Sequence, residues 1–160
     1  MTDRAESVLV ATDSTAGLVS VVVGGQMFGV PVLCVQDVIA QTVINRVPLS
    51  PPEVAGSLNL RGRIVTAIDM RCRLRMSPRE PDVGFMNVIV EHNGELYALL
   101  VDDVGDVLWL EPTEYEAGPV TLSPHWRAVC SGLYRLQGEL LLVLNIEQVL
   151  TLSGTTSLAA

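Results

Sequence analysis

The sequence contains no lysine. All ten basic residues are arginine, set against eighteen Asp and Glu, and the formal net charge is −8. So acidic a chain fits poorly with sequence-independent nucleic-acid binding, which neutralises several phosphates at once. Aromatic residues make up only 4%, which leaves few platforms on which bases could stack. No nucleic-acid partner is therefore expected. No apolar run approaches the ~20 residues that a membrane-spanning helix needs, and direct membrane insertion is not expected. The first residues, "MTDRAESVLVATDSTAG", are acidic and polar early on. They lack the basic stretch and long apolar stretch of a secretion signal, which places the chain in the cytoplasm. Three cysteines, Cys34, Cys72 and Cys130, lie far apart without a Cys-x-x-Cys. Each reads as a small buried hydrophobe rather than half of a disulfide. The two histidines, His92 and His125, stand in different segments. No set with metal-ligand spacing is visible, and neither metal nor cofactor is expected.

What is present is apolar and aliphatic. Hydrophobic residues are 49% of the 160, so the core is built from Val, Leu and Ile, a β-rich signature. The length suits one ordinary domain or two tightly fused small barrels. Gly24-Gly25, Asn93-Gly94 and Gln137-Gly138 each separate two apolar runs, the pattern of two-residue hairpin turns with positive φ. They predict strands at 18–24, 26–33, 86–92, 95–101, 130–136 and 139–144. Further strands are expected at 41–47, 63–68 and 104–110. Pro48, Pro51 and Pro52 break the chain, and "SPPEVAGSL" reads as a short helical turn capped by Ser50. "NIEQVLTL", 145–152, reads as a short C-terminal helix capped by Asn145. Many short strands and almost no helix indicate an antiparallel all-β barrel or sandwich. "SPREPDVG", 77–84, is the best internal boundary. It divides the chain into two β-rich halves, each too small for a large core alone, that pack together. No repeat of 20–50 residues is visible. A single domain over 18–152 is expected, with flexible tails at 1–17 and 153–160.

Chemistry is harder to find. "GGQMFG" has the glycines of a phosphate loop but returns as a strand rather than opening a helix. Asp102 and Asp103 are neighbours and would point to opposite faces of a strand. An acid–base pair of Asp69 with either one would need them to converge in a cleft with a perturbed pKa. Acids at strand ends more simply accept backbone N–H bonds in turns. The arginines Arg61, Arg63, Arg71, Arg73, Arg75 and Arg79 are clustered and read most simply as a solvated face. Within "NLRGRIVTAIDMRCRL", Arg61 precedes Gly62 in a turn. Its rigid fork of donors suits a carboxylate. It either locks the turn, with Asp69 as one partner for Arg61 or Arg71, or is presented to another molecule, and sequence physics leaves both open.

"GSLNLRGRIVTAIDMRCRL" resembles the signature of the CheW family, the coupling proteins of bacterial chemotaxis. "FGVPVLCVQDVI", "VIVEHNGELYALLVDDVGDVLWL" and "LLLVLNIEQVL" resemble further blocks of that family, in order, from about residue 18 to 152. Thr66 stands where the family usually has Pro, and Asp37 where Glu is common. The resemblance implies two small SH3-like five-stranded β-barrels packed side by side, with short helical turns and a short C-terminal helix. It implies no catalysis. It implies instead an adaptor in the cytoplasm, associated with membrane receptor arrays through its partners. Those partners would be the cytoplasmic tip of a chemoreceptor and the regulatory domain of a CheA-type histidine kinase. Positions matching the receptor-facing groove are Val35, Asp37, Val38, Asn59, Arg61, Gly62, Val88, Val104 and Val107. The kinase-facing edge includes the 41–49 strand and loop. An adaptor of a non-flagellar chemosensory pathway fits the same resemblance.

Overall fold

The structure, a computed structural model, describes residues 16–80, 82–117 and 123–151. Its strands are β1 (Ala16–Val23), β2 (Gln26–Pro31), β3 (Val35–Ala40), β4 (Val54–Leu60), β5 (Arg63–Asp69), β6 (Met86–His92), β7 (Glu95–Val101), β8 (Asp103–Leu110), β9 (Tyr115–Ala117), β10 (Cys130–Leu136) and β11 (Glu139–Leu144). Three short helices are α1 (Met70–Arg73), α2 (Pro124–Val129) and α3 (Ile146–Val149). The hairpins form where the sequence places them, because Gly24-Gly25, Asn93-Gly94 and Gln137-Gly138 all adopt positive φ. Arg61-Gly62, with φ 52° and 86°, makes a fourth such turn. Asn145 caps α3 as expected, its side chain accepting from the Gln148 N–H.

Two expectations fail between residues 41 and 60. The 41–47 strand shrinks to one bridge, Asn45 to Ser57, since the prolines that follow carry no N–H for a ladder. "SPPEVAGSL" forms no helix: it closes a single turn, the Val54 N–H donating to the Pro51 carbonyl, and Ser50 does not cap it. The Ser50 hydroxyl donates to the Val47 carbonyl, and Val54 onward is β4. The helix-start chemistry of Ser50-Pro51 is overridden there by pairing of β4 with β5. The strands β3 and β9 and the helices α1 and α2 were not expected at all.

Two SH3-like barrels result. One sheet runs β8-β1-β2-β11-β10-β9 and the other β3-β6-β7-β5-β4. The first therefore has six strands rather than five. Neither sheet is purely antiparallel, because β2 runs parallel to β11 and β5 parallel to β7. The 77–84 link does not divide the barrels, since β3 to β5 before it and β6 and β7 after it share one sheet. It separates instead two copies of one unit: hairpin, bulged edge strand, short bridging segment, hairpin, helical turn. The registers coincide. Val35↔Val90 and Val38↔Val88, with a bulge between, match Val21↔Val104 and Val19↔Val107. Val54↔Ile68 and Gly56↔Ala67 match Cys130↔Leu144 and Gly132↔Val143, again with a bulge between. Asp69 caps α1 as Asn145 caps α3. Each unit lends its first hairpin to the barrel that the other unit completes.

The swap explains the apolar runs. Tyr97, Leu99 and Val101 of β7 enter a core shared by both sheets, together with Val19, Val21 and Val23 of β1 and Leu142 and Leu144 of β11. Ala98 and Leu100 point the other way, into a cluster with Leu58, Val65, Ala67 and Ile89 inside the five-stranded barrel. Leu18, Tyr134, Leu141 and Val143 fill the six-stranded one. Strands buried on both faces lose the alternation of a half-exposed strand. Each fully buried Val or Leu contributes about 1.5–3 kcal/mol. The cysteines are free and partly buried. Cys34 and Cys130 line the shared core, and burial pushes the Cys130 thiol up to about 12.

Candidate functional site

The β4–β5 turn holds itself. The Asn59 side chain accepts from the Gly62 N–H at 3.0 Å, which fixes the tight turn without help from Arg61. The Arg61 guanidinium is free to reach across the open edge of the five-stranded sheet, from β4 to β3. There its Nη2 donates to Asp37 Oδ2 at 2.9 Å. Asp69, the other candidate partner, accepts instead from the backbone N–H groups of Arg71 and Cys72. The Arg61 side chain remains 75% exposed. Such a pair adds little to stability, and its remaining donors face solvent.

Asp37 sits at the β3 bulge. Its second oxygen accepts from the Val38 N–H at 2.8 Å. The Arg61 hydrogen bond first, and the Val38 N–H second, hold its carboxyl below the usual aspartate range. In Arg61→Ala the Asp37 titration midpoint, followed by carboxyl carbon NMR, is expected to rise towards the ordinary value of about 3.9. An unmoved midpoint would mean that the pair does not persist in solution.

The valines divide. Val35 and Val104 border the shared core as partly buried residues, one on the edge strand of each sheet. Val38 is half-buried beside them and Val107 is 46% exposed. Val88 is a correction. It is 0% exposed, because its strand lies between two others and its face packs in the shared core, so it offers nothing to a partner. Asn59, Arg61 and Gly62 are exposed together at the hairpin tip. Trp109, 65% exposed two residues beyond Val107, escaped the sequence reading. The signal for it was an aromatic residue in an otherwise aromatic-poor edge strand.

The arginine cluster is not one solvated face. Arg73 Nε and Nη2 donate to the carbonyls of Val149, Gln148 and Thr151 at the end of α3, favourable chemistry for a helix C-terminus. Arg71 grips Asp102 through two bonds of 3.0 and 2.7 Å. Arg79 lies 3.8 Å from the same carboxylate and over the Phe85 ring. Arg61, Arg63 and Arg75 remain exposed. The carboxylates do not form an acid–base pair, since each is taken up by different donors. Asp69 caps α1, Asp102 holds Arg71 and the Gly24 N–H, and Asp103 accepts from the N–H of Val104. Among the described residues no cluster of His, Cys, Asp and Glu is arranged to hold a metal, and no helix is long and apolar enough to cross a membrane.

The family model for the CheW-like domain matches residues 17–153. The chain is 27% identical over 138 residues to the chemotaxis protein CheW of Rhizobium meliloti, covering 86% of this chain and 89% of that protein. It is 28% identical over 131 residues to the CheW of Klebsiella aerogenes, covering 80% and 77%. The scaffolding protein TtCheW from Thermoanaerobacter tengcongensis has a similar fold, with a TM-score of 0.80 at 22% identity, over 89% of this chain and 97% of that one.

Proposed function

Because the chain belongs to the CheW-like domain family, we propose that it is a non-enzymatic chemotaxis adaptor in the cytoplasm. It couples a chemoreceptor tip to the regulatory domain of a CheA-type histidine kinase and helps to control that kinase. The observation that carries this reading is the family match across 17–153, nearly the whole described chain. A receptor tip is a helical hairpin, and a seam lined by apolar residues with a few polar anchors suits a helix. The polar anchors are Asn59, Arg61 and Asp37, with Gly62 in the turn that presents Arg61. The apolar ones are Val35, Val38, Val104 and Val107, with Val88 removed from the set. The kinase-facing edge falls on the 41–49 segment. Val43, Val47 and Leu49 are exposed there, and Leu49 has φ 63°, so a side chain costly to expose is held outward on strained backbone.

The test is calorimetric titration with a receptor cytoplasmic-tip fragment and with an isolated kinase regulatory domain. Wild type is expected to bind both saturably. Arg61→Ala is expected to remain folded, because Asn59 holds the turn, and to lose receptor binding by about tenfold or more, as for a charged anchor. Kinase-domain binding should stay within about threefold. Wild type binding neither partner would sink the adaptor reading, and an unfolded Arg61→Ala would make Arg61 a structural residue.

A further inference from the structure

We propose that Trp109 and Glu111, beside Val107 on the outer reach of β8, form a recognition strip for a basic side chain carried by a helical partner. This rests on the adaptor reading and names the chemistry the receptor-side partner should carry. Cross-strand partners share a face of a sheet. Val107 lies opposite Val19, and Trp109 opposite Gly17. Val19 is buried in the shared core, so Val107 and Trp109 lie on the face turned to the seam between the barrels. The stripe begins at Val104, at the border of that core, and emerges into solvent at Trp109. Glu111 follows in extended backbone, φ −78° and ψ 141°, which brings its side chain back to the side of Trp109.

The indole is seated rather than loose. It lies on Gly17 so closely that a Cβ there would come within 2.8 Å of ring atoms Cε3 and Cη2. Glu111 is exposed on the side of Trp109, while Asp103 and Asp106, next to Val104 and Val107, lie on the other face of β8. An indole face with a carboxylate on its side attracts a guanidinium or ammonium group, while Val107 and the ring cover the apolar side of a helix. The fold does not require the strip. In the equivalent strand of the other unit, the register position of Trp109, paired with Gly17, is taken by Ala40, paired with Met86.

The test titrates the whole protein with a chemoreceptor cytoplasmic-tip fragment, at low and high salt, with near-UV circular dichroism to show that each variant is folded. Trp109→Ala is expected to bind about tenfold more weakly and Trp109→Phe less so. Glu111→Gln should bind about threefold more weakly with a shallower salt dependence. Equal binding by wild type and all variants overturns the strip and leaves the adaptor reading standing. If wild type does not bind the fragment, the adaptor reading fails and a second arm decides. Two synthetic helical peptides share one apolar face and differ only in carrying Lys or Glu beside it. A shift in Trp109 emission with the Lys peptide alone supports the strip, and no preference overturns it. A mass of the free protein that grows with concentration, and ceases to grow in Trp109→Ala, assigns the strip to a second copy and also overturns it.

Discussion

Asp102→Ala is expected to lower the unfolding free energy by about 2–4 kcal/mol, measured by urea denaturation. Asp102 stands between β7 and β8, and its carboxylate gathers groups from distant parts of the chain. Arg71 of α1 binds it with two N–H groups. The Gly24 N–H of the β1–β2 turn donates to it at 2.8 Å, and Arg79 lies behind. Its side chain is 17% exposed, Arg71 21% and Arg79 11%, so removing the anion leaves two cations short of solvent and of a counter-charge. Asp102→Asn keeps the shape and loses the charge, and should fall between. The acid limb of stability carries the same signature. Burial pushes the Asp102 carboxyl up, but hydrogen bonds from Arg71 and Gly24 and the charges of Arg71 and Arg79 outweigh it, and the net shift is downward. A carboxyl depressed on folding adds stability that is complete above its unfolded value of about 3.9 and is lost as pH falls through the folded one. Wild type should therefore lose stability below about pH 4, and Asp102→Asn should show a flatter limb there. Parallel limbs would show that Asp102 is not held by this network in solution.

Gly56→Ala is expected to be as damaging, with a loss of about 2–4 kcal/mol and a Tm lower by roughly 6–12 °C. Gly56 has φ 149°, a conformation close to the preserve of glycine. It sits at the β4 bulge, where the segment after β3 crosses β4 and Asn45 exchanges two 2.7 Å backbone bonds with Ser57. A Cβ at Gly56 would overlap the Asn45 carbonyl oxygen and come within 2.9 Å of Ile44 Cγ2. The barrel is closed at this point by backbone, and backbone cannot rotate away. Gly132, the equivalent bulge position, offers the contrast. A Cβ there meets the ring of Tyr115, a partly exposed side chain that can shift at the cost of its hydroxyl bond to the Ser131 carbonyl, as backbone cannot. Gly132→Ala should cost less than half as much. Equal melting temperatures for the two variants would show that contact with backbone is not what makes Gly56 necessary.

The hairpins were legible because glycine-containing pairs demand a backbone that few residues tolerate. The turns then fixed the strands on either side, and 86–92, 95–101, 130–136 and 139–144 agree with the structure to the residue. β3 was not legible, since "VQDVIA" is short and its bulge at Asp37 interrupts the alternation. β4 was hidden by Ser50, Pro51 and Pro52, whose local preference is for a helix start. The doubled unit stayed invisible because it is longer than a repeat of 20–50 residues, and its copies agree in register and at bulge and cap positions rather than in residue identity. Around the site, the sequence offered Asp69 as a partner for Arg61 or Arg71 without deciding between them. The cap on α1 removes Asp69 from the choice. Val88 was misread because a strand buried on both faces and one facing a groove carry the same residues.

The exchange of hairpins between the two units makes the barrels inseparable as pieces of chain. A cut in the 77–84 link would not release one barrel from the other. It would yield two fragments, each carrying a hairpin that belongs in a barrel completed by the other, like two hands with fingers interlaced. Neither fragment has an intact sheet to fold upon, since β1 and β2 need β8 and β11, and β6 and β7 need β3 and β5. Unfolding of one unit therefore removes strands from both barrels, and the seam between them cannot open like a hinge between independent domains. A partner lying along that seam meets a surface whose two walls are held by the same crossed strands.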